Sequence, residues 1–427
     1  MAWDFSTDPA FEKKLDWVRT FMREKVYPLE TLDLDDETFL AISEPLKAEV
    51  KKEGLFAAHL PPELGGSGYG QVRLALLNEV VGTSANIGPI VFGSMAPDSG
   101  NAELIAVAGN EAQKEEWMYP LLRGELRSCF SMTEPGAGAD PTLIETRATV
   151  EGDEWVISGK KWFSSNASIA DFLIVMCRTN DSASPHGRFS MIVVPADTPG
   201  IHIRDVPTMQ HPYERPPAYA SEGEVTYNNV RVPLDNILGG EGEGFALAQK
   251  RLGPGRIHHC MRWLGQSKRA FDMLCERAVS RYSHGSLLSD KQTVQNWIAD
   301  SLAEMDAARL LTLRAAWKID TEGVAAARTD IALIKYFGAQ VLHNVIDRAL
   351  QIHGSLGYSS DLPLEEMYRL ARAARIYDGP DEVHRVSVAR RVLRDYEAHD
   401  TPTEHVPTRR KEALEIYGRQ LEAAGLR

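Results

Sequence analysis

The sequence predicts an α+β protein of about three domains, with helices at both ends and strands in the middle. A chain of 427 residues exceeds one hydrophobic core, and at roughly 150 residues per domain it divides into about three. Apolar residues recur every three or four positions near both ends, whereas short apolar runs between turn residues fill the middle. We place the domains at residues 1–127, 128–240 and 241–398, followed by a tail at 399–427.

Each block has its own pattern of apolar and turn residues. Helical spacing in the first block is carried by Phe11, Leu15, Val18, Met22 and Val26. A loop rich in Pro and Gly over 61–68 interrupts this block. In the middle block, a hairpin turn at Gly152 and three strands are predicted, over 147–150, 154–157 and 172–176. Long helices return from residue 244, and a short helical pattern over 409–424 ends the tail.

Composition and motifs disfavour several classes of function. The net charge of −13 argues against nucleic acid as a partner, because phosphate binding requires a basic face. No run of about 18 apolar residues would span a membrane. The four cysteines lack CxxC spacing, and His211, His353 and His384 lack metal-ligand spacing, so we expect reduced thiols, structural histidines and no metal. No signal, transit or peroxisomal motif is visible, and we therefore expect a cytoplasmic protein.

One stretch near the C-terminus places a carboxylate beside the start of a helix. Pro380 suits the first helical position, because it needs no N–H partner there and its φ is already helical. Asp381 and Glu382 then fall in the first turn, which the helix dipole favours. Asp378 lies just outside, and Gly379 lets the backbone approach a ligand closely. Taken alone, the stretch also fits an acidic helix start on the surface.

A second stretch, residues 129–140, changes from an apolar run to small residues. Pro135 and the Gly and Ala residues after it cannot hold a helix or a central strand, so we predict a loop. Such a loop offers backbone N–H groups and the Thr133 hydroxyl to a bulky polar ligand. It is not a dinucleotide-binding fingerprint, because no GxGxxG opens a helix and no βαβ alternation follows.

These two stretches, in this order, resemble the two signatures of the acyl-CoA dehydrogenase family. Further matches to the family pattern lie at 160–166, at Arg281 with Gly285 and Gln292, and at 351–358, and the resemblance spans roughly residues 8–395. It implies an N-terminal helical domain, a β-barrel-like middle domain and a C-terminal four-helix bundle. It also implies FAD as cofactor, an acyl-CoA substrate and an electron-transfer flavoprotein as electron acceptor.

The resemblance assigns roles to individual positions. Asp378 is implied to be the catalytic base, with its backbone N–H helping to polarise the thioester carbonyl. The positions implied to bind the cofactor are Phe130, Met132, Thr133, Trp162, Ser164, Arg281, Ser283, His284, Gln292, Gln351, Gly354, Ser355, Pro380 and Glu382. Those implied to bind the substrate are Ala139, Arg256, His258, Arg262, Tyr377 and Gly379. Because Arg281 and residues 351–355 match positions that reach a neighbour's flavin, we expect a homotetramer or a homodimer.

Dehydrogenation of a thioester between Cα and Cβ needs a base for the α-proton and an acceptor for the β-hydride. Most family members have Glu-Gly-Thr where this chain has Asp378, Gly379 and Pro380. Asp is shorter by ~1.5 Å, so either the substrate or the backbone of the turn must lie closer than in those members. Some relatives carry the base on a helix just before the CoA-binding Arg, but Gly255 occupies that position here. Burial raises the pKa of a carboxyl and a helix N-terminus lowers it, so the direction for Asp378 stays open.

The run from Arg251 to Arg262 is rich in basic groups. Arg256 matches the family Arg that contacts the CoA-linked part of the substrate. His258 and Arg262 are four positions apart and share a helix face. They fit either a solvated basic surface at a helix start or a pocket for negative charge on the acyl chain. With the Asp378 stretch, this run resembles the subgroup of mammalian acyl-CoA dehydrogenase family members ten and eleven and their bacterial relatives.

Three activities remain open from the sequence. The first is FAD-dependent oxidation of an acyl-CoA to the trans-2-enoyl-CoA, as in fatty acid β-oxidation. The second follows from the subgroup, which is linked to 4-hydroxyacyl-CoA catabolism: a lyase or isomerase that expels a 4-phosphate with the same base. The third is a non-catalytic or oxygen-using relative, which the presence of Asp378 disfavours. The first two begin with the same α-proton abstraction, so the sequence does not separate them.

Overall fold

A computed structural model of the chain describes residues 7–64, 66–181, 184–209, 222–398 and 410–426. The chain divides into two units, Met1–Arg385 and Val386–Arg427. The expectation for His211 lies outside the described residues. Within the part of the chain that is described, no helix combines the length and the apolarity needed to cross a membrane.

The N-terminal part of the first unit is helical. Its α-helices are α1 (Pro9–Phe21), α2 (Tyr27–Leu29), α3 (Asp36–Lys52), α4 (Gly70–Val81), α5 (Ile87–Val91), α6 (Asp98–Ala108), α7 (Glu111–Gln113) and α8 (Tyr119–Arg123), with π-helical turns at Met22–Val26 and Lys114–Met118. Asp8 caps α1 by accepting hydrogen bonds from the N–H groups of Ala10 and Phe11. The five apolar residues predicted to share a helical face are each at most 4% exposed, which confirms that prediction.

The middle part is a sheet. Its strands are β1 (Ser128–Ser131), β2 (Arg147–Glu151), β3 (Glu154–Ser165), β4 (Phe172–Arg178), β5 (Phe189–Pro195), β6 (Ile201–Asp205), β7 (Glu222–Pro233) and β8 (Ile237–Leu238). They pair in the order β6-β7-β3-β2-β4-β5-β8, and β1 pairs with β4 in parallel. The antiparallel β2–β3 pair closes at Glu151 opposite Glu154, and Gly152 has a φ of 68°, so the hairpin prediction is confirmed. β2 meets β4 at one pair of residues, Arg147 opposite Arg178. Strands β3 and β7 on one side of this pair and strands β4 and β5 on the other side contribute residues to one apolar core.

Helices return after the sheet. They are α9 (Gly244–Ser280), α10 (Gln292–Glu322), α11 (Arg328–His353) and α12 (Leu364–Ala374), with the short strands β9 (Tyr282–Ser283) and β10 (Ser286–Leu287) between α9 and α10. The four helices pack on one another around a shared core with the N-terminal helices, as the resemblance implied. Because α9 begins at Gly244, the basic run lies inside this helix, so the interpretation that placed it at a helix start was wrong.

The last helices span the two units. α13 (Asp381–Val392) starts in the first unit, and the second unit contains its final residues, a 3-10 turn at Leu393–Asp395 and α14 (Arg410–Ala423). α14 agrees with the helical pattern predicted for the tail, and Gly418 is buried within it. The order of helical, sheet and helical parts in the first unit therefore confirms the predicted fold class.

Candidate active site

The turn that carries Asp378 is held in an uncommon backbone conformation. Asp378 has a φ of 54° and Gly379 a φ of 95°, and a non-glycine residue with positive φ stores roughly 1–3 kcal/mol of strain. A Cβ at position 379 would lie 2.9 Å from Nε2 of His384, so this position requires glycine. Pro380 precedes the helix and its carbonyl accepts from the N–H groups of Val383 and His384. It therefore caps α13 instead of occupying the first helical position, because the helix begins at Asp381.

Three side chains fix the carbonyl groups of this turn. Nη2 of Arg256 donates to the Asp378 carbonyl at 3.0 Å, and Nε2 of His384 lies 3.1 Å from the same oxygen. Nζ of Lys335 donates to the Gly379 carbonyl at 3.2 Å and to the Ala374 carbonyl at 2.7 Å. Burial lowers the pKa of His384 to about 4, so its ring is neutral and donates through Nε2. These bonds hold the backbone of the turn from which the Asp378 side chain extends.

The Asp378 carboxylate faces a histidine that the sequence did not single out. Its side chain is 22% exposed, and Oδ2 lies 3.4 Å from Nε2 of His259. The His259 ring lies 5.4 Å from the Tyr377 ring, and it stacks on the Trp263 ring at 6.2 Å with an interplanar angle of 28°. The carboxylate is thus reachable from solvent and has a polar group and aromatic rings around it.

Aromatic rings and a buried cation lie beneath the turn. Trp263 Nε1 donates to the Tyr377 hydroxyl at 2.9 Å, so this hydroxyl is engaged inside the protein. Nζ of Lys335 lies 5.5 Å from the Trp263 ring and 5.4 Å from the Tyr377 ring, within the range of cation–π attraction. Burial lowers the pKa of Lys335, and the nearby Asp378 charge opposes that effect. This arrangement anchors the turn to α9 and α11.

The side chains of His258 and Arg262 are buried, so the interpretation as a solvated basic surface was wrong. Each residue is 6% exposed, because α9 lies against the N-terminal helices. Nε2 of His258 lies 3.1 Å from Oε1 of Gln71. Arg262 donates to Oδ1 of Asn78 at 2.8 Å and to the Ser94 carbonyl at 3.0 Å. Burial lowers the pKa of Arg262 to about 10, which leaves the guanidinium charged at neutral pH.

His59 is half-buried, lies with His258 around one small cavity, and provides a test by pH. Burial lowers its pKa to about 4 from 6.5, so the neutral ring stabilises the fold above pH 6.5 and that stability is lost as pH falls towards 4. We expect His59→Asn to flatten the fall in Tm between these values, because Asn can still donate towards Ser99 but does not titrate. His202→Asn, on exposed β6, is the control and should keep the wild-type slope. Parallel curves for His59→Asn and wild type would contradict this assignment.

Hydrogen bonds join strand β1 and the loop after it to strand β3. The Trp162 N–H donates to the Thr133 carbonyl at 2.8 Å, and the hydroxyls of Ser131 and Ser164 lie 3.0 Å apart. Phe130, Met132, Thr133 and Trp162 are each half-buried, whereas Ser164 is fully buried. The structure therefore brings together five of the residues predicted for the cofactor, although the Ser164 hydroxyl points into the protein.

A buried ion pair holds the backbone of this loop in place. Lys161 is 0% exposed, and its Nζ lies 2.9 Å from Glu134 Oε1 and donates to the Met132 carbonyl at 2.8 Å. Glu134 also accepts hydrogen bonds from the N–H groups of Glu145 and Thr146. Burial works against ionisation of Glu134, but the Lys161 charge and these bonds hold its pKa below the usual value. Removing either partner would leave a charge buried without compensation.

The site is suited to a flat, partly apolar group such as an isoalloxazine ring. The half-buried side chains of Phe130, Met132, Thr133 and Trp162 lie where β1 and its following loop meet β3, and we call this surface the ledge. The loop beside the ledge is exposed at several residues. A Cβ added at Gly136 or Gly138 would meet nothing within 4 Å, so the backbone of the loop is accessible there. The residues present therefore fit a flavin, and a backbone hydrogen bond joins Thr133 and Trp162 on the ledge.

The remaining predicted residues lie at the surface of the chain. The exposed or half-exposed ones are Ala139, Arg281, Ser283, His284, Gln292, Gln351, Gly354, Ser355 and Glu382. His284 has a φ of 49°, next to Gly285 at 83°. His353 donates to the Ala349 carbonyl within its own helix, as expected for a structural histidine. The four cysteines are free, and the described residues contain no group of ligands that could hold a metal.

Sequence reasoning missed residues that support the turn. His259 follows His258 directly but was not itself predicted, and His384 was predicted to be structural although it holds the Asp378 carbonyl. Lys335 and Trp263 carry no sequence signal, because each lies in a long helix and meets the turn only through tertiary packing. The density of basic and aromatic residues in α9 was the one available clue.

Comparison with known proteins covers nearly the whole chain. Family models for the N-terminal, middle and C-terminal domains of acyl-CoA dehydrogenases match residues 10–125, 129–212 and 242–393. The chain is 44% identical to the probable acyl-CoA dehydrogenase FadE2 of Mycobacterium tuberculosis, over 87% of this chain and 93% of that protein. It is 40% identical to acyl-CoA dehydrogenase family member 11 of Rattus norvegicus, over 90% of this chain and 50% of that protein, so it spans about half of that relative. The structure of butyryl-CoA dehydrogenase from Megasphaera elsdenii matches with a TM-score of 0.79 and 29% identity, over 92% of this chain and 100% of that chain.

Proposed function

The chain belongs to the acyl-CoA dehydrogenase family, and from this we propose that it oxidises an acyl-CoA thioester to the trans-2-enoyl-CoA with Asp378 as the base. The observation that carries the proposal is the turn at Asp378. A strained backbone that several buried groups hold in place is typical of a functional site. The carboxylate is partly exposed, so a substrate can reach it.

The contacts around the turn support a positioned general base. Arg256, His384 and Lys335 bond the backbone carbonyls of Asp378 and Gly379, so these three bonds do not occupy the carboxylate. Positioned acid–base groups contribute on the order of 10²–10⁴ in rate, and this depends on geometry before pKa. Because Asp reaches ~1.5 Å less far than Glu, the substrate Cα must approach the turn more closely than in most relatives.

FAD, when bound, supplies the acceptor for the β-hydride, which amino-acid side chains cannot provide. Phe130, Met132, Thr133 and Trp162 would hold it on the ledge between β1 and β3. The buried pair of Lys161 and Glu134 keeps that ledge in place. An electron-transfer flavoprotein is the proposed acceptor of the electrons that leave the enzyme.

The bonding of Arg262 favours oxidation of a plain acyl chain over elimination of a 4-phosphate. A phosphate subsite needs cationic donors that are available to the ligand. Here Arg262 already donates to Asn78, to Ser94 and to His259, and His258 lies against Gln71. Burial also lowers the pKa of His258 well below its usual value, so its ring is neutral.

A single assay tests this function. Purified holoenzyme is given straight-chain, 4-hydroxy and 4-phospho acyl-CoAs of several lengths, and dye reduction and phosphate release are followed together. We expect dye reduction with a straight-chain substrate and formation of the trans-2-enoyl-CoA. Phosphate release from the 4-phospho substrate without dye reduction by any straight chain would overturn the proposal in favour of the lyase.

We further predict a yellow homo-oligomer with about one FAD per chain, a tetramer in preference to a dimer. Arg281, His284 and Gln351 are exposed on the single chain, as expected of residues that complete a neighbour's cofactor site. Native mass spectrometry should show the oligomer, and Arg281→Met should reduce FAD occupancy while leaving secondary structure unchanged. A monomer with full FAD occupancy would contradict this prediction.

A further inference from the structure

His259 links a buried arginine to the proposed base. Its Nδ1 lies 3.0 Å from Nη2 of Arg262, and its Nε2 lies 3.4 Å from Oδ2 of Asp378. Contacts therefore run from Asn78 of α4 through Arg262 and His259 to Asp378, in the turn before α13. The proposed role of Asp378 as the base does not by itself explain these contacts.

The chemistry of the first contact determines where the His259 proton lies. A guanidinium has only N–H donors, so the group opposite it must accept. Nδ1 of His259 is then the unprotonated nitrogen, and the ring carries its proton on Nε2. This nitrogen lies 3.4 Å from Oδ2 of Asp378, and a carboxylate oxygen is an acceptor when ionised. Arg262 thus selects the tautomer that can donate to the base.

The ring is also fixed in place by its surroundings. His259 has an 18% exposed side chain and stacks on Trp263 at an interplanar angle of 28°. Arg262 is anchored at its other end by Asn78 and the Ser94 carbonyl, and it is 6% exposed. Because Arg262 and Trp263 already hold the His259 ring, the ring loses little conformational freedom when it donates to the Asp378 carboxylate.

We propose that His259 is a positioning residue for the base: its Nε2–H orients the Asp378 carboxylate and favours the ionised form that removes the α-proton. The inference rests on the proposed role of Asp378. Arg262 acts one step further away, by holding His259 in the donating tautomer. This assigns Arg262 a role that does not depend on any substituent of the substrate.

Other charged and titratable groups surround Asp378 and limit how much His259 alone contributes to the ionisation of its carboxylate. They are Arg256, Cys260 and Arg262 of α9, Lys335 of α11, His384 of α13 and the neighbouring Tyr377. Arg256 and Lys335 are cations that favour an ionised carboxylate in any variant of His259. Loss of the His259 donor should therefore raise the pH at which the base ionises by about one unit, and not by several.

The test compares two substitutions that differ in the donor. His259→Phe keeps a ring against Trp263 but has no N–H, whereas His259→Gln places an amide N–H near the position of Nε2. The pH dependence of kcat/KM is measured for the FAD-loaded protein with a straight-chain acyl-CoA. We expect the acid limb of His259→Phe to move up by about one pH unit, which is about a tenfold loss below the limb. The limb of His259→Gln should stay close to wild type.

Two further variants separate positioning from packing and from substrate recognition. His343→Phe removes a partly buried histidine of α11 whose ring lies 5.1 Å from the Tyr368 ring of α12, and it should leave the profile unchanged. Arg262→Met should move the limb in the direction of His259→Phe, and equally for plain and 4-phospho acyl-CoAs. A loss restricted to the phosphorylated substrate would instead place Arg262 in a phosphate subsite and overturn the inference.

A measurement that does not depend on turnover checks the tautomer. In protein labelled with 15N-histidine, the His259 signal, identified by its absence in His259→Gln, should show a proton on Nε2 in wild type. In Arg262→Met the proton should no longer be confined to Nε2. A proton on Nδ1 in wild type, or an unshifted acid limb in His259→Phe, overturns the inference while leaving Asp378 as the base. An active Asp378→Asn variant would instead overturn the proposed function itself.

Discussion

Asp378→Asn should lose turnover by at least the 10²–10⁴ typical of general base catalysis while the protein keeps its FAD. The substitution removes the proton acceptor but preserves the shape of the side chain. It also leaves the bonds from Arg256 and His384 to the residue's carbonyl unaffected. Steady-state dye reduction with a straight-chain acyl-CoA measures the loss, and the flavin absorbance of the purified variant reports occupancy.

Two control variants test whether the loss of turnover is specific to the Asp378 carboxylate. Asp361→Asn replaces an exposed carboxylate in the turn before α12, and it should retain wild-type rates. Asp378→Glu restores the residue that most relatives carry, and it should retain a measurable part of the activity. Wild-type turnover in Asp378→Asn would require another base, and Gly255 cannot provide one.

Lys161→Met should destabilise the protein by about 3–5 kcal/mol and lower its retention of FAD. Met fills a similar volume but leaves Glu134, which is 6% exposed, without its cation. The Met132 carbonyl also loses its donor, so the loop that follows β1 is held against β3 by fewer bonds. Chemical denaturation gives the free energy of unfolding, and dialysis followed by absorbance gives the retained flavin.

Lys160→Met is the matched control, one position earlier in the same strand. Lys160 pairs with Glu224 at 3.0 Å, but its side chain is 49% exposed, and exposed ion pairs contribute about 0–1 kcal/mol. We expect this variant to keep both stability and FAD. Equal losses in the two variants would show that the ledge does not depend on the buried pair.

Local chemistry explains why the turn at Asp378 could be predicted from the sequence. Gly379 permits a positive φ, and Pro380 lies just before the first residue of α13 and caps it, so both act within a few residues. The alternation of helices and strands was predictable for a similar reason, because apolar periodicity is a local signal. The hairpin around Gly152 follows from the same logic.

The residues that surround the base were not predictable in this way. Lys335 meets the Ala374 carbonyl 39 positions away, and Arg256 meets the Asp378 carbonyl 122 positions away. Such contacts depend on how α9 and α11 rotate against their neighbours, which no local pattern encodes. The sequence placed His258 and Arg262 on one helix face correctly, but the packing of α9 buried that face and turned His259 towards the base.

Anaerobic mixing of the FAD-loaded protein with one equivalent of a straight-chain acyl-CoA tests whether Asp378 removes the α-proton as the flavin is reduced. We expect the flavin absorbance to bleach as an equivalent amount of trans-2-enoyl-CoA forms, and we expect deuterium at the substrate Cα to slow this step. In Asp378→Asn the same bleaching should be slower by at least about 10². An unchanged flavin absorbance with every acyl-CoA tried, or bleaching of Asp378→Asn at the wild-type rate, would contradict this role of Asp378.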